Sequence, residues 1–446
     1  MGDNSDNRNK RFSGLSIIFR SLKYSNFRLY FGGQSISLIG TWIQRVALPW
    51  LVYELTGSVV LLGIVGFASQ IPSFLLTSFA GVIIDRQNRY RILMITQVLS
   101  MIQALLLAIL FYSGLIEIWH IIALSVFLGC INAFDMPVRQ SFLIEMVDRK
   151  EDLGNAIALN STMVNGARLI GPSVAGLLIA TSGEGICFLI NGVSYLLVIA
   201  SLLRMKITPR KITRKDTNVL SELKEGFAYT FGFAPISAVI LLLGLVSLMG
   251  MSYSVLLPVF AREILQGGSH TFGFLMGASG LGALTGALYL ATRKSVLEIG
   301  RIIPFSAILF GIGLIAFSMS RSLMLSLPLM MLAGLGMMLQ MASTNTIIQT
   351  IVDDDKRGRV MSFYTMAFMG TAPFGSLLAG WLAKGIGAPS TLVIGGISCI
   401  AGAIVFAWKL PTLKKAVRPI YIRLGIINEV VAGIQSATDL TAPPEE

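Results

Sequence analysis

The sequence predicts an all-α membrane protein: twelve transmembrane helices in two six-helix halves, with both termini in the cytoplasm. Three observations predict it. Only 13% of the 446 residues are charged and mean hydropathy is +0.74, whereas a soluble domain carries about twice that charge. Twelve apolar runs are each long enough to cross a bilayer core, which takes roughly 20 residues of helix. The second half also repeats a glycine pattern of the first.

The twelve runs fall at 27–52, 57–84, 92–113, 117–143, 155–181, 185–203, 236–261, 272–291, 302–320, 324–351, 359–383 and 389–408. Short links such as "YELTG", "YSGLIE" and "SGEG" join them on one side and charged links on the other. With the N-terminus inside, inner segments hold about 29 of the 35 basic residues. The outer links hold only Arg262, Arg321 and Lys384, while Arg45, Arg139 and Arg168 fall within spans. Basic residues are retained on the cytoplasmic side, so this bias sets the orientation.

The longest break, 204–235, divides 1–26 plus 27–203 from 236–408 and the tail 409–446. It carries Arg204, Lys206, Arg210, Lys211, Arg214 and Lys215. Its end, "NVLSELKEGFAYTF", sets Leu220, Leu223 and Phe227 on one side of a short interfacial helix. The tail holds a second amphipathic stretch, "YIRLGIINEVVAGIQ".

The repeat is visible without gaps. "LGNAIALNSTMVNGARLIGPSVAG" (Leu153 to Gly176) and "RGRVMSFYTMAFMGTAPFGSLLAG" (Arg357 to Gly380) pair Gly154 with Gly358, Gly166 with Gly370, Gly171 with Gly375 and Gly176 with Gly380. Glycines so spaced let helix backbones approach closely in lipid.

The link after the second span, "GVIIDRQNRYR", resembles the major facilitator signature Gly-x-x-x-Asp-Arg-x-x-Arg-Arg. It matches at Gly81, Asp85, Arg86, Arg89 and Arg91, with Tyr90 where the pattern prefers Arg. The resemblance implies a cytoplasmic latch: Asp85 against the N-terminus of the eleventh span near Gly358 and Arg359. An anion there meets the positive end of a helix dipole, worth about 0.3–2 kcal/mol. The second-half link, "GALYLATRKSVLEIGR", keeps Gly286, Arg293 and Lys294 without the acid, so the latch is one-sided. "NAFDMPVRQSFLIEMV", "NGARLIGPSVAGLL" and "DDDKRGRVMSFYTMAFMGTAPFGSLLAG" resemble the branch containing enterobactin exporters and macrolide-efflux proteins. Its members export unrelated molecules, so the resemblance implies export without naming a substrate.

Ionisable groups within lipid are costly and mark function. Asp135 and Arg139 lie one turn apart in the fourth span, sharing a face with Asn132. Asp135 reads two ways: as a proton carrier whose pKa burial raises and Arg139 or Arg168 lowers, or as half of a fixed pair bracing the helix around Pro137. The first span carries a polar stripe of Gln34, Ser37, Thr41, Gln44 and Arg45, and the fifth carries Ser161, Asn165 and Arg168. Arg45 is the cavity candidate, its alternative being to snorkel to the outer surface. Glu54, Glu117, Glu184 and Glu263, at outer helix ends, read as solvated. The seventh, tenth and eleventh spans offer Tyr253, Gln340, Asn345, Tyr364 and Met369 among methionines and aromatics, with no buried charge. Most of these serve helix packing; flexible methionines also suit large, partly apolar ligands.

Other chemistries lack their residues. No phosphate-binding Gly-x-x-x-x-Gly-Lys run and no nucleophile set is present, so neither an ATPase nor another enzyme is expected. Cys130, Cys187 and Cys399 sit in apolar runs, and His120 and His270 stand apart with no ligand cluster around either, so no metal site is expected. The polar start "MGDNSDNRNKRF" is no signal peptide. The net charge of +12 is dispersed between spans, so nucleic acid is not expected as a partner. The reading is a monomeric, proton-driven exporter of small amphipathic molecules in the plasma (inner) membrane, without cofactors. Two rivals remain: a lipid or lysophospholipid transporter of the same fold, and a receptor or scaffold that does not transport.

Overall fold

The computed structural model describes residues 19–206, 219–293, 297–353 and 356–427, without the side chains of residues 78, 82, 85, 150 and 219–223. The side chains of Asp85, Leu220 and Leu223 therefore lie outside the described residues, as do Arg210, Lys211, Arg214, Lys215 and everything from 428 on.

The first half is built of α1 (Ser25–Thr56), α2 (Val59–Arg86), α3 (Arg89–Tyr112), α4 (Ile118–Leu143), α5 (Lys150–Ser182) and α6 (Glu184–Arg204). After α7 (Val219–Gly232) come α8 (Ala234–Ile264), α9 (Ser269–Ala291), α10 (Ile299–Met319), α11 (Leu323–Ile351), α12 (Arg357–Ile386) and α13 (Ala388–Arg423). Eleven of these helices are long and apolar enough to cross a membrane. α1 is not among them. It has 32 residues, but its polar stripe lowers its hydropathy.

Local chemistry sets the helix ends. Ser58 and Asn88 cap α2 and α3, Asn88 Oδ1 accepting from the amides of Tyr90 and Arg91 at 3.0 and 3.3 Å. Glu117 and His120 form a capping box on α4. The tight links α5–α6 and α12–α13 turn at Gly183 (φ 77°) and Gly387 (φ 83°), a conformation open to glycine and closed to most side chains. These two stand at the same offset as the repeat glycines. α8 and α12 each contain a wider, π-type turn, at Val246–Gly250 and Met366–Gly370. Such turns free a carbonyl: Ser247 donates to Phe368 O, tying the two irregular turns together.

α13 runs on to Arg423, beyond the apolar stretch that ends at Trp408. Lys409 ends the apolar run without ending the helix, even with Pro411 and Pro419 inside it. Arg423 Nη2 lies 2.8 Å from Asp353 Oδ1, which ties that extension to the end of α11.

The repeat explains how the halves meet. Gly176 of α5 packs on α9: a Cβ there would lie 2.8 Å from Ser269 O and 3.1 Å from Gly273 Cα. Its equivalent Gly380 of α12 packs on α2, 2.8 Å from Val59 O and 3.1 Å from Gly63 Cα. Gly171 sits against Trp42 of α1, and its equivalent Gly375 against Leu248 of α8. Two seams, α5 on α9 and α2 on α12, thus join the halves.

The halves are also tied together at the end away from the basic links. There Tyr53 Oη donates to Glu263 Oε1, Ser269 Oγ to Gly176 O at 3.1 Å, and Trp50 stacks on Phe272. Towards the basic end, Gly81, Gly154, Gly166 and Gly358 have nothing among the described residues within 4 Å of where a Cβ would stand. The halves are closed at one end and, among the described residues, stand clear of each other at these positions of the basic end.

Candidate functional site

Away from their ends, the first-half helices carry four charged residues: Arg45, Asp135, Arg139 and Arg168. The second-half helices carry none in the corresponding stretches.

Asp135 is buried where α3 packs on α4. Its Oδ1 accepts from Thr96 Oγ1 at 2.9 Å and Gln97 Nε2 at 2.6 Å, and its Oδ2 pairs with Arg139 Nη2. Around this pair, Tyr30 Oη, Gln97 Oε1 and Arg139 Nε are buried without a hydrogen-bond partner among the described residues. The carboxylate is thus fully engaged, while its neighbours retain spare hydrogen-bonding capacity.

Arg168 stands elsewhere. Its guanidinium carbon lies 5.9 Å from the centre of the Trp42 ring, and that of Arg45 lies 4.8 Å from the same ring. Trp42 and Arg45 are one turn apart on α1, and Gly171 lets Trp42 approach α5. Arg45 is exposed although it lies deep within the bundle, within electrostatic reach of Arg168 and Arg139. The backbone of Arg168 touches Gly280 of α9, so the group borders the seam between the halves. Among the described residues, neither Arg45 nor Arg168 has a carboxylate at ion-pair distance. The structure therefore divides the predicted proton-coupling trio into an ion pair and a separate two-arginine group.

The polar stripe of α1 turns mostly inward. Gln34, Ser37 and Gln44 are buried. Gln44 Nε2 donates to Gln103 Oε1 at 2.9 Å and its Oε1 accepts from Asn191 Nδ2 at 2.8 Å, linking α1, α3 and α6. Thr41 Oγ1 reaches Ser37 O at 3.0 Å and Tyr195 Oη at 3.4 Å. Asn132 is half-buried, and Asn165 donates to Ser161 O within its own helix.

In the second half, Tyr253 and Gln340 are buried, Tyr253 Oη lying 2.9 Å from Ser279 Oγ. Asn345 accepts from Gln349 at 3.0 Å, and Tyr364 Oη donates to Met341 O at 3.3 Å. Met366 and Met369 are exposed, beside the wide turn of α12.

The latch residues are spread over the basic end. Arg86 and Arg91 are exposed, and Arg89 Nη1 lies 2.9 Å from Glu145 Oε1. Tyr90, the departure from the signature, donates to Leu202 O at 3.1 Å. Gly358 is open, and Arg359 Nη1 pairs with Glu225 Oε2 of α7 at 2.5 Å, beside a cavity of about 310 Å³. Of the acids read as solvated, Glu263 holds Tyr53 of the other half, and Glu184 is buried against Glu54.

Sequence reasoning missed Thr96 and Gln97 on Asp135, and Trp42 beneath the arginines. The polar pair in the apolar "RILMITQVLS" was the available signal for the first. Nothing in the sequence singled out Trp42.

The model of the transmembrane secretion effector family, a major facilitator family, matches residues 18–421. The chain belongs to this family. It is a multi-pass membrane transporter and not an enzyme. It is 29% identical over 380 residues to the staphyloferrin A transporter of Staphylococcus aureus, covering 85% of this chain and 95% of that one. It is 27% identical over 394 residues to the multidrug efflux pump Tap of Mycobacterium tuberculosis, covering 84% and 91%. Among solved structures, the POT family transporter PepTSo matches with a TM-score of 0.70 at 13% identity, covering 88% of this chain and 99% of that one.

Proposed function

We propose that this protein is a proton-coupled exporter of small amphipathic molecules, such as a siderophore, a macrolide or another drug. The observation that carries the reading is Asp135, an acid buried within a span and bound on both oxygens. A carboxylate so held changes the fit of α3 on α4 when it takes a proton. Arg139 then loses its counter-charge, and Thr96 and Gln97 lose an ionised acceptor. In the proposed cycle a proton enters on Asp135 as substrate leaves, with Arg139, its ion-pair partner, as the cation that responds. The proton gradient is the energy source and no cofactor takes part.

In this reading α1 is the twelfth span and both termini lie in the cytoplasm, because the basic links mark that side. The protein works as a monomer in the plasma (inner) membrane. The state described is then the one open to the cytoplasm. Export requires the seams at Gly176 and Gly380 to part on the outer side while Gly81 and Asp85 close on Gly358 and Arg359. Arg359 would exchange Glu225 for the latch. The name of the multidrug efflux pump Tap supports export, and that of the staphyloferrin A transporter supports a small-molecule substrate.

The test is transport by the full chain in proteoliposomes, with a panel of siderophores, macrolides and dyes under an imposed pH gradient. Accumulation that a protonophore and Asp135→Asn both abolish supports the reading. Accumulation that survives collapse of the pH gradient refutes proton coupling. Accumulation lost to the protonophore but kept in Asp135→Asn leaves a proton-driven exporter and makes Asp135 a brace.

A further inference from the structure

We infer that Arg45 and Arg168, stacked about Trp42, form an anion-binding site, and that the transported molecule carries carboxylate or similar anionic groups. This rests on the exporter reading and narrows its substrate class. Three cations against one anion lie within the first-half spans, and Arg139 already takes Asp135. Arg45 and Arg168 thus leave two positive charges uncompensated among the described residues. Charge in a membrane interior is costly, so two like charges held within reach of each other and of one indole require an opposite charge from elsewhere.

The repeat shows that the fold itself does not call for them. At the constant offset, Gly171 and Gly176 correspond to Gly375 and Gly380, and Arg168 corresponds to Ala372. The same helix position is filled by a methyl group in one half and a guanidinium in the other. Packing is served by both; charge is supplied by one. The geometry suits recognition. Gly171 leaves no room for a Cβ beside the Cβ of Trp42, so that residue is held close against α5. Trp42 in turn supports Arg45 by cation–π contact, and Arg45 remains an exposed residue. Arginine forks bind carboxylate and phosphate in bidentate fashion, and two of them favour a ligand with more than one anionic group. The same field repels cationic drugs.

Two sources share this chemistry, a soluble polycarboxylate and an anionic lipid headgroup. The full chain in phosphatidylcholine nanodiscs is titrated by calorimetry with citrate, trimethyl citrate, lysophosphatidylglycerol and ethidium. Binding of citrate, and not of its ester, assigns a soluble carboxylate; binding of lysophosphatidylglycerol alone assigns a headgroup. In either case R45Q and R168Q should each weaken binding roughly tenfold to a hundredfold, while the R45K/R168K double variant, which keeps both charges and loses both forks, should bind more weakly than the wild type and more tightly than the R45Q/R168Q double variant. Thermal unfolding of each variant separates lost binding from lost folding, and W42F, which keeps both charges, should weaken binding less than R45Q. Absence of anion binding, or binding unchanged in folded R45Q and R168Q, overturns the site. Gradient-driven export of ethidium that citrate does not inhibit and R45Q does not alter would leave the exporter standing without the anion site. Citrate binding that depends on Arg45, with no transport of any compound, would keep the site and remove the exporter.

Discussion

Arg168 and Ala372 occupy equivalent positions in the two halves, as do Gly176 and Gly380. The glycines do the same job: each brings a helix of one half against the backbone of the other. The charged position does not repeat. The duplicated plan thus conserves what closes the bundle and varies what fills it. Charge chemistry sits in the first half, where Asp135, Arg139, Arg45 and Arg168 stand. The second half offers wide turns, tyrosines and methionines. A transporter needs both halves to move alike, and only one of them to carry the charge.

The most disruptive way to break the comparison is to take the charge from the first half. Asp135→Asn leaves the half-buried Arg139 without its counter-ion, a change at the low end of the about 3–5 kcal/mol that a fully buried pair would cost. We expect a lower unfolding temperature for the purified protein and loss of gradient-driven transport. Asp135→Asn with Arg139→Gln should recover much of the unfolding temperature and none of the transport. Recovery of both would make the pair a structural brace and render the halves alike in function.

Testing the shared part comes next. Gly176→Leu and Gly380→Leu each push a side chain into the backbone of the opposite half, where overpacking costs about 1–3 kcal/mol. Both should shift the protein towards the state open at the Tyr53–Glu263 end, and by similar amounts. Spin-label distances between Thr56 and Gln266 across that end would report the shift. A response from one glycine alone would show that the seams are not equivalent.

Much of this architecture is written locally. Apolar runs, capping residues and the glycine offset are short-range patterns, and they place the helices to within a few residues; the continuation of α13 past Trp408 is the main departure. The site is less legible because a polar residue in an apolar helix has two uses. Gln44 and Arg45 are neighbours in sequence, yet Gln44 joins a buried network with Gln103 and Asn191 while Arg45 is exposed within the bundle. A turn of about 100° separates them on the helix, and only the neighbouring helices decide which direction is interior. Asp135 and Arg139 were readable as a pair from their spacing. Thr96 and Gln97, on another helix, were not.

The Tyr53–Glu263 contact crosses between the halves at the closed end, so its loss should be felt there and not in stability. Glu263 is exposed, which limits its hydrogen bond to about 1 kcal/mol. Tyr53→Phe and Glu263→Ala should therefore move the same Thr56–Gln266 distance distribution in the direction of the glycine variants, with a smaller amplitude. The double variant should add nothing to either single one, because both remove one bond. Additive shifts would assign the two residues to separate contacts.

The smallest effect belongs to the loops, where the halves can be compared pair against pair. Arg89 and Glu145 lie 2.9 Å apart with side chains 25% and 15% exposed, and Arg293 and Glu298 lie 3.1 Å apart at 40% and 66%. The lengths are nearly the same, so the difference is solvent. Water and salt screen the exposed pair almost completely, whereas the half-buried pair retains part of its attraction. Arg89→Gln should lower the unfolding free energy by about 0.5–1 kcal/mol, and Arg293→Gln by an amount too small to measure. Raising salt from 0.1 to about 0.5 M should narrow the gap only slightly, because mobile ions do not reach the buried side of Glu145. A gap that vanishes in salt would mean that both pairs are surface pairs. The first-half loop would then hold no advantage from its acid, and the one-sidedness of the latch would rest on Asp85 alone.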